Sequence, residues 1–157
     1  MNKFRCILTI FVLVLLFTSC TNTNLVDTNE AIADNNWTYA KSAKATVEIK
    51  DIKQPYHIYF KLRHTADYRY ANLFVWAKIK GNGLSKNARY QFKLAQPDGT
   101  WLGKGSGDIF TYNFSLLTDF RFPKAGKYQI EVEQNMRDNP LVGVSDVGIT
   151  VAQAETK

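Results

Sequence analysis

Residues 56–63 of the chain read YHIYFKLR, a stretch in which apolar and more polar side chains alternate one by one. Successive side chains of a β-strand point to opposite faces, so a period of two places one apolar stripe on one face. An amphipathic helix would instead repeat its apolar positions every three or four residues. The stretch therefore predicts a β-strand with one buried face.

The same alternation returns through the rest of the chain. The further stretches with this period lie at residues 73–80, 89–94, 110–114, 128–133 and 147–151. Turn-forming sequences fall between the stretches, at residues 81–83, 97–99, 123–126 and 138–140. Seven or eight short antiparallel strands at this spacing predict an all-β fold, an immunoglobulin-like or jelly-roll-like β-sandwich.

Residues 125–130, AGKYQI, resemble the tyrosine corner of immunoglobulin-like domains. In that motif a tyrosine hydroxyl bonds back to the turn before its strand, and here the tyrosine is Tyr128. Ile130 takes the place where antibody domains carry a cysteine. The alternative interpretation is that Tyr128 is one more core aromatic residue at the start of a strand.

The first nineteen residues have the pattern of a lipoprotein signal peptide. Lys3 and Arg5 precede a largely apolar run at 6–17, long enough for a secretory signal helix and short for a membrane span. Ser19 is small, as a lipoprotein signal peptidase requires before its cysteine. We expect cleavage after Ser19 and attachment of lipids to Cys20. The alternatives are ordinary secretion with a free Cys20 thiol, or an uncleaved anchor.

Composition divides the remaining chain into three parts. Residues 20–36 are polar and rich in Asn and Thr, which predicts a lipidated cysteine followed by a flexible tether. A part of this segment, around 25–33, lies along the domain in the alternative interpretation. The β-sandwich is expected at 37–152, and residues 153–157 form a C-terminal tail.

Charge and cysteine content narrow the function. The chain of 157 residues has 20 Lys and Arg against 14 Asp and Glu, and without Lys3 and Arg5 the balance is 18 against 14, a net charge of about +4. The basic residues are scattered, which does not suit a nucleic-acid-binding protein. Cys6 leaves with the signal, so Cys20 is the only cysteine of the mature chain. Packing rather than a disulfide is expected to stabilise the fold.

No catalytic or metal-binding motif is found in the sequence. The glycine-rich stretch 99–108 has three residues where a P-loop needs four, and no helix pattern follows it. His57 and His64 have no partner residues at metal-ligand spacing, and no G-x-S-x-G motif is present. We expect no catalytic residue, no metal and no cofactor. The one enzymatic hypothesis is a hydrolase with a composite acid site formed by Asp108 and Asp146.

Three connections between the predicted strands carry residue types that are enriched in protein interfaces. Residues 67–72 contain two tyrosines and an arginine, a second connection contains Trp101, and a third contains Met136 and Arg137. In the alternative interpretation the aromatic side chains only cap the open ends of the sandwich.

Several longer stretches, taken in order, resemble one known family. They are residues 56–65, 67–68, 70, 72–74, 101–109, 122–123, 126–128, 134–137 and 141–148. With the lipoprotein signal, they make the chain similar to the gliding motility lipoprotein GldH family of the Bacteroidetes over roughly residues 30–151. Arg69 departs from the pattern, because the family often has proline there. The candidate partner-binding residues are Arg63, Tyr68, Tyr70, Asn72, Trp101, Lys104, Asp108, Met136 and Arg137.

The resemblance implies a non-enzymatic component of the gliding machinery, which works alongside type IX protein secretion. Its expected partners are other envelope proteins and, through the lipid, the membrane; no nucleic acid, cofactor or small-molecule substrate is implied. Neither Thr21 nor Asn22 is the aspartate that retains some lipoproteins at the inner membrane, so we expect the outer membrane, facing the periplasm. The competing hypothesis is a glycan- or peptidoglycan-binding module that stacks sugars on Trp101, Tyr68 and Tyr70.

Overall fold

The computed structural model describes residues 24–155, so the predicted signal peptide and the lipid attachment at Cys20 lie outside the described residues. Within this range no helix is long and apolar enough to cross a membrane. A single 3-10 turn occupies Ala33–Asn35. The strands are β1 (Asn24–Asp27), β2 (Glu30–Ala31), β3 (Asn36–Trp37), β4 (Ala43–Ile49), β5 (Tyr56–Thr65), β6 (Asn72–Gly81), β7 (Leu84–Lys93), β8 (Lys104–Ser106), β9 (Ile109–Phe120), β10 (Gly126–Gln134), β11 (Leu141–Val142) and β12 (Val144–Gln153).

The strands form two antiparallel sheets that share one core. The first sheet has the order β1-β12-β5-β9-β8, with β2 also paired to β12, and the second has the order β4-β10-β6-β7. A short pair, β3 and β11, lies beside them. The predicted all-β antiparallel sandwich is therefore confirmed. Seven strands have seven or more residues, which agrees with the predicted number. Six of them contain or overlap the predicted stretches, whereas β4 was not predicted although its side chains alternate. The other strands have two to four residues, too few for a period of two to show.

The core lies between the two sheets, where their apolar faces pack against each other. In β5 the side chains of Ile58, Phe60 and Leu62 have no exposed surface. Phe60 stacks at 6.2 Å from Trp37 and at 6.1 Å from Phe92, which belongs to the second sheet. Such buried aromatic pairs combine a large apolar area with a preferred ring geometry, so they hold the two sheets together.

The tyrosine corner is present. The Tyr128 hydroxyl donates a hydrogen bond to the carbonyl oxygen of Lys124, in the turn before β10, at 2.7 Å. Tyr128 is also buried and lies 4.6 Å from the ring of Phe122. The interpretation of the sequence as a corner motif is thus confirmed, and its place in the core also agrees with the plainer alternative.

The predicted flexible tether is wrong for residues 24–36. This segment runs along the free edge of β12, where β1 and β2 both pair with it. Between and after these strands the Thr28 amide donates to the Ile149 carbonyl and the Ile32 amide to the Ser145 carbonyl, both at 2.9 Å. An edge strand leaves backbone groups unpaired, so the added segment satisfies them. The alternative, in which the segment lies along the domain, is the one observed, and β12 in turn extends to Gln153.

The connections between strands gather at the two ends of the sandwich. We call upper end the residues of five connections, at 38–42, 66–71, 94–103, 107–108 and 135–140. We call lower end the residues of three connections, at 50–55, 82–83 and 121–125. The described chain begins at the lower end, because Asn24 pairs with Ala152 near the C-terminus of β12.

Candidate functional site

The upper end collects most of the predicted partner-binding residues. Its connections are fastened to one another by backbone hydrogen bonds, from Ala66 to the Asp108 carbonyl at 3.1 Å and from Leu94 to the Ala71 carbonyl at 2.8 Å. Tyr68, Tyr70, Trp101, Asp108, Met136 and Arg137 lie on these connections, and Asn72 and Lys104 begin the strands that leave them. Only Arg63 lies in the interior of a strand.

Tyr68 is not a surface residue. Its side chain is only 3% exposed, and its hydroxyl donates to the Asn72 carbonyl at 3.0 Å. Burial raises the pKa of the Tyr68 phenol, with smaller contributions from Tyr70 and Tyr112. Tyr68 packs in the core, as the alternative interpretation expects, and offers a partner little surface. Tyr68 is the third residue after β5, and its ring packs against His64 of that strand.

Tyr68 belongs to an aromatic cage around His64, which has no exposed surface. The imidazole centroid lies 4.5 Å from Trp101, 5.0 Å from Tyr68, 5.3 Å from Tyr112 and 5.5 Å from Phe110. Trp101 meets the imidazole edge-on and remains partly exposed. The cage therefore packs the connections 66–71 and 94–103 against β5 and β9.

The hydrogen bonds of His64 settle which nitrogen carries its proton. Nδ1 lies 2.8 Å from the Thr65 carbonyl, and a carbonyl oxygen only accepts, so Nδ1 is protonated in the neutral ring. Nε2 lies 3.3 Å from the Tyr112 hydroxyl, which itself donates to the Leu94 carbonyl at 2.7 Å. Burial lowers the pKa of His64, partly offset by the bond to Thr65. Burial thus favours the neutral ring.

The neutral state of His64 predicts a pH dependence of stability. Because its pKa is lower in the folded than in the unfolded chain, the unfolded chain binds more protons once the pH falls below about 6.5. Stability contributed by the neutral ring is present above that pH and is lost as the pH falls toward the lowered pKa. We expect the urea midpoint at pH 5 to lie below that at pH 7.5.

The variant His64→Gln isolates this effect, because glutamine keeps a polar side chain and does not titrate. Its urea midpoint is expected to change less between pH 7.5 and pH 5 than that of the native chain. An equal change in both proteins would show that other groups account for the pH dependence.

A groove at the upper end continues onto the outer face of the second sheet. It encloses about 860 Å³, its open mouth included, and we call it the arginine groove. Its lining residues are Tyr70, Phe74, Arg89, Asn135, Met136, Arg137 and Asp138. Three of the predicted residues, Tyr70, Met136 and Arg137, therefore come together in one place.

The floor of the arginine groove is held in place by its own contacts. The Arg89 guanidinium lies 4.2 Å from the centroid of the Phe74 ring, and its Nε donates to Asn135 Oδ1 at 2.8 Å. A cation over an aromatic face is an attractive pair at a surface site. The Tyr70 hydroxyl donates to Asp138, and this bond raises the pKa of Tyr70.

The connection 135–140 is hydrogen-bonded to a buried side chain. Gln134, which is 3% exposed, accepts the amide hydrogen of Met136 at 2.8 Å and donates to the Asp138 carbonyl at 2.9 Å. The Tyr39 hydroxyl donates to the Met136 carbonyl at 2.7 Å. A groove that is already in its final shape loses little conformational entropy on binding.

Arg63 lies apart from the groove, on the outward face of β5, and has an internal partner. Its Nε lies 2.7 Å from both carboxylate oxygens of Asp146, which also accept from Asn29 and from Ser145, each at 2.9 Å. The Asp146 side chain is 3% exposed and that of Arg63 is 48% exposed. Arg63 thus fastens β12 and the N-terminal segment to β5, and a partner contact there stays a prediction.

The two competing chemical hypotheses find little support in this geometry. Asp146 is buried in its pair with Arg63, whereas Asp108 lies exposed in the turn between β8 and β9, so a composite acid site is not formed. Sugar stacking needs open ring faces. Tyr68 is buried and Trp101 packs against His64, so the predicted stacking platform is also not formed. Among residues 24–155 no group of three acidic, histidine or cysteine side chains is placed to hold a metal ion.

Sequence reasoning missed Phe74 and Arg89 as members of the groove. Phe74 falls on the outward phase of β6, between the buried Leu73 and Val75. An aromatic residue at an outward-facing position of a predicted strand can indicate a binding surface. Its ring can equally pack against neighbouring side chains on the same sheet. Arg89 becomes its partner only because β7 pairs with β6.

Comparison with known proteins identifies relatives along nearly the whole chain. Residues 24–151 match the family model described as "GldH lipoprotein". A protein of Christiangramia forsetii named "Gliding motility lipoprotein GldH homolog" is 29% identical over 152 residues, covering 90% of this chain and 91% of the relative. The "Gliding motility lipoprotein GldH" of Flavobacterium johnsoniae is 27% identical over 150 residues, covering 90% and 92%.

Solved structures show only distant likeness. A carbohydrate-binding module specific for non-crystalline cellulose aligns over 85% of this chain and 74% of its own, with 7% identity and a TM-score of 0.42. At that score the likeness carries no statement on function.

Proposed function

Because this chain belongs to the GldH lipoprotein family, we propose that it is a component of the gliding motility machinery that binds another envelope protein through its upper end. The family relationship makes it a membrane-anchored gliding motility lipoprotein. The proposal adds that Cys20 carries the lipid, that the domain faces the periplasm from the outer membrane, and that the partner acts with type IX secretion. No catalytic step is part of this function.

The arginine groove is the observation that carries the proposal. It brings together Tyr70, Met136 and Arg137, and adds Phe74 and Arg89 from the neighbouring sheet. Tyrosine, methionine and arginine are enriched where proteins bind each other, and the few residues that dominate binding energy are often tyrosine or arginine. The groove is open, while the buried side chain of Gln134 keeps its wall in place.

Site-specific photo-crosslinking in cells tests the proposal. A photoreactive amino acid at Arg137, exposed at the groove, is expected to trap an envelope protein. The same amino acid at Thr46, exposed on the outer face of β4, serves as the matched control and is expected to give no such adduct. Recovery of the monomer alone from position 137 would contradict the proposal.

A charge reversal measures the contribution of the groove. Arg137→Glu is expected to reduce recovery of the trapped protein by about tenfold in a pull-down from the organism's own envelope. Lys86→Glu, which reverses a charge on exposed β7, should leave recovery unchanged. A Cys20→Ala variant in the same experiment shows whether capture requires the lipid. Equal recovery with both charge reversals would place the partner surface elsewhere.

A further inference from the structure

The lower end of the sandwich is the end from which the chain continues toward Cys20. Asn24 pairs with Ala152, whereas Val144, at the other end of β12, pairs with His64 below the upper end. Eight residues of extended strand separate the two positions, which is about 26 Å. Only three residues stand between Cys20 and Asn24. Four residue steps span at most about 14 Å, so a lipid at Cys20 holds the lower end close to the bilayer.

The lower end is strongly basic. Its three connections contain Lys50, Lys53, Arg121 and Lys124 against the single acidic residue Asp51. All four basic residues are exposed, and none of them forms an ion pair within residues 24–155. The five connections of the upper end, in contrast, contain three basic and four acidic residues. Among the connections, the excess of positive charge is therefore concentrated on the side of the lipid.

An apolar side chain stands among these charges. Ile52 is 45% exposed and lies between Lys50 and Lys53 in the connection from β4 to β5. The connection is fixed on both sides of it: the Tyr56 hydroxyl donates to the Asp51 carbonyl at 2.9 Å, and the amide of Lys53 donates to Asp51 Oδ1 at 2.8 Å. Ile52 is thus exposed on a connection that is hydrogen-bonded to itself and to Tyr56.

We propose that the lower end is a membrane-docking surface, on which Lys50, Lys53, Arg121 and Lys124 bind anionic lipid headgroups and Ile52 enters the interface between headgroups and acyl chains. Basic side chains are attracted to an anionic surface within a Debye length, about 10 Å, and the short connection to Cys20 keeps them within that range. Apolar side chains beside such charges add interfacial binding. The proposal rests on the lipid at Cys20, which is part of the proposed function.

Docking by the lower end would also orient the domain. With the lower end against the headgroups, the upper end and the arginine groove point away from the bilayer. A domain held by lipid alone would instead sample many orientations. The surface therefore adds direction to the anchor, independently of which protein binds at the groove.

Fluorescent labelling of the lipidated protein in vesicles tests the proposal. Cys20 is the only cysteine after signal cleavage and its thiol carries the lipid, so Ile52→Cys introduces a single reactive thiol for an environment-sensitive dye. Val142→Cys, at an equally exposed position of 45% near the upper end, is the matched control. In vesicles that contain phosphatidylglycerol, quenching by spin-labelled lipids is expected to be about threefold stronger at position 52 than at position 142.

Charge and lipid composition separate the contributions. Lys53→Glu combined with Lys124→Glu, in the Ile52→Cys protein, is expected to lower quenching about threefold, as is replacing phosphatidylglycerol by phosphatidylcholine. The proposal would be overturned by equal quenching at positions 52 and 142. It would also be overturned if quenching at position 52 stayed the same after both the charge reversals and the change of lipid. Flotation of the lipidated protein with neutral vesicles tests the lipid anchor by itself. Failure to float would show that Cys20 does not anchor the protein, and the docking proposal would then be wrong. Crosslinking at Arg137 addresses a different surface, so the partner proposal fails or stands separately.

Discussion

Replacing Gly148 with alanine is expected to lower the free energy of unfolding by about 3 kcal/mol, through a clash that nothing nearby can absorb. Gly148 lies in β12 between the pairings with β1 and β2. A Cβ atom there would lie 2.1 Å from the carbonyl oxygen of Thr28 and 2.8 Å from Lys61 Cε. The lysine side chain can move, but the Thr28 carbonyl belongs to backbone that is hydrogen-bonded to Ile149. Urea denaturation measures the loss.

The same substitution is expected to release the N-terminal segment from the sheet. Faster hydrogen exchange of the Thr28 and Ile32 amides, which bond to the Ile149 and Ser145 carbonyls of β12 on either side of Gly148, would report this release. Gly105→Ala is the matched control, since a Cβ there meets its nearest atom, in Phe110, at 3.5 Å. Native stability and native exchange in Gly148→Ala would contradict the assigned role of this glycine.

The second large effect is expected at Arg63. Arg63→Met keeps the aliphatic stem and removes the cation, which leaves the buried Asp146 carboxylate with only Asn29 and Ser145 as donors. Breaking a buried pair from one side costs more than the pair itself contributes, because the remaining charge has lost its partner. We expect a loss of about 3 kcal/mol, at the low end for buried pairs since Arg63 is half exposed.

A neighbouring pair on the same face provides the control. Lys61 lies two residues earlier in β5 and pairs with Asp27, whose side chain is 49% exposed. Lys61→Met is therefore expected to cost about 1 kcal/mol or less in urea denaturation. Equal losses in the two variants would show that water already reaches Asp146. If Arg63→Met were as stable as the native chain but no longer bound its envelope partner, this result would support the partner contact predicted from the sequence.

Local pattern predicted six of the seven long strands, all but β4. The alternation in residues 56–63 reports which face of β5 is buried, because neighbouring side chains of a strand always point to opposite sides. The turn sequences at 81–83 and 123–126 likewise reflect conformational preferences of their own residues. The segment 24–36 was misjudged for the opposite reason: its polar composition resembles a linker, and its order comes from the edge of β12, more than a hundred residues away.

The candidate site could be predicted only in part. Residue type and position on a connection marked Tyr70, Met136 and Arg137, and the structure brings these three into one groove. The same criteria marked Tyr68, because a tyrosine on a connection carries no local sign of whether its ring turns inward. That choice is made by the cage around His64, to which β9 and the connection after β7 contribute.

The alternation of apolar side chains, the turn sequences and the signal segment are all properties of residues that are neighbours in the chain. The β-sandwich architecture and the expected export could therefore be inferred from the sequence alone. Sheet order, the pairing of Arg63 with Asp146 across 83 positions, and the separation of a basic lower end from the arginine groove depend on residues far apart in the chain. Such contacts form only when the two sheets pack against each other. The local sequence around each residue does not indicate which distant residue it will contact. The opening stretch, residues 56–63, shows both sides: its alternation predicts a strand, but the partner of its last residue is decided by the fold.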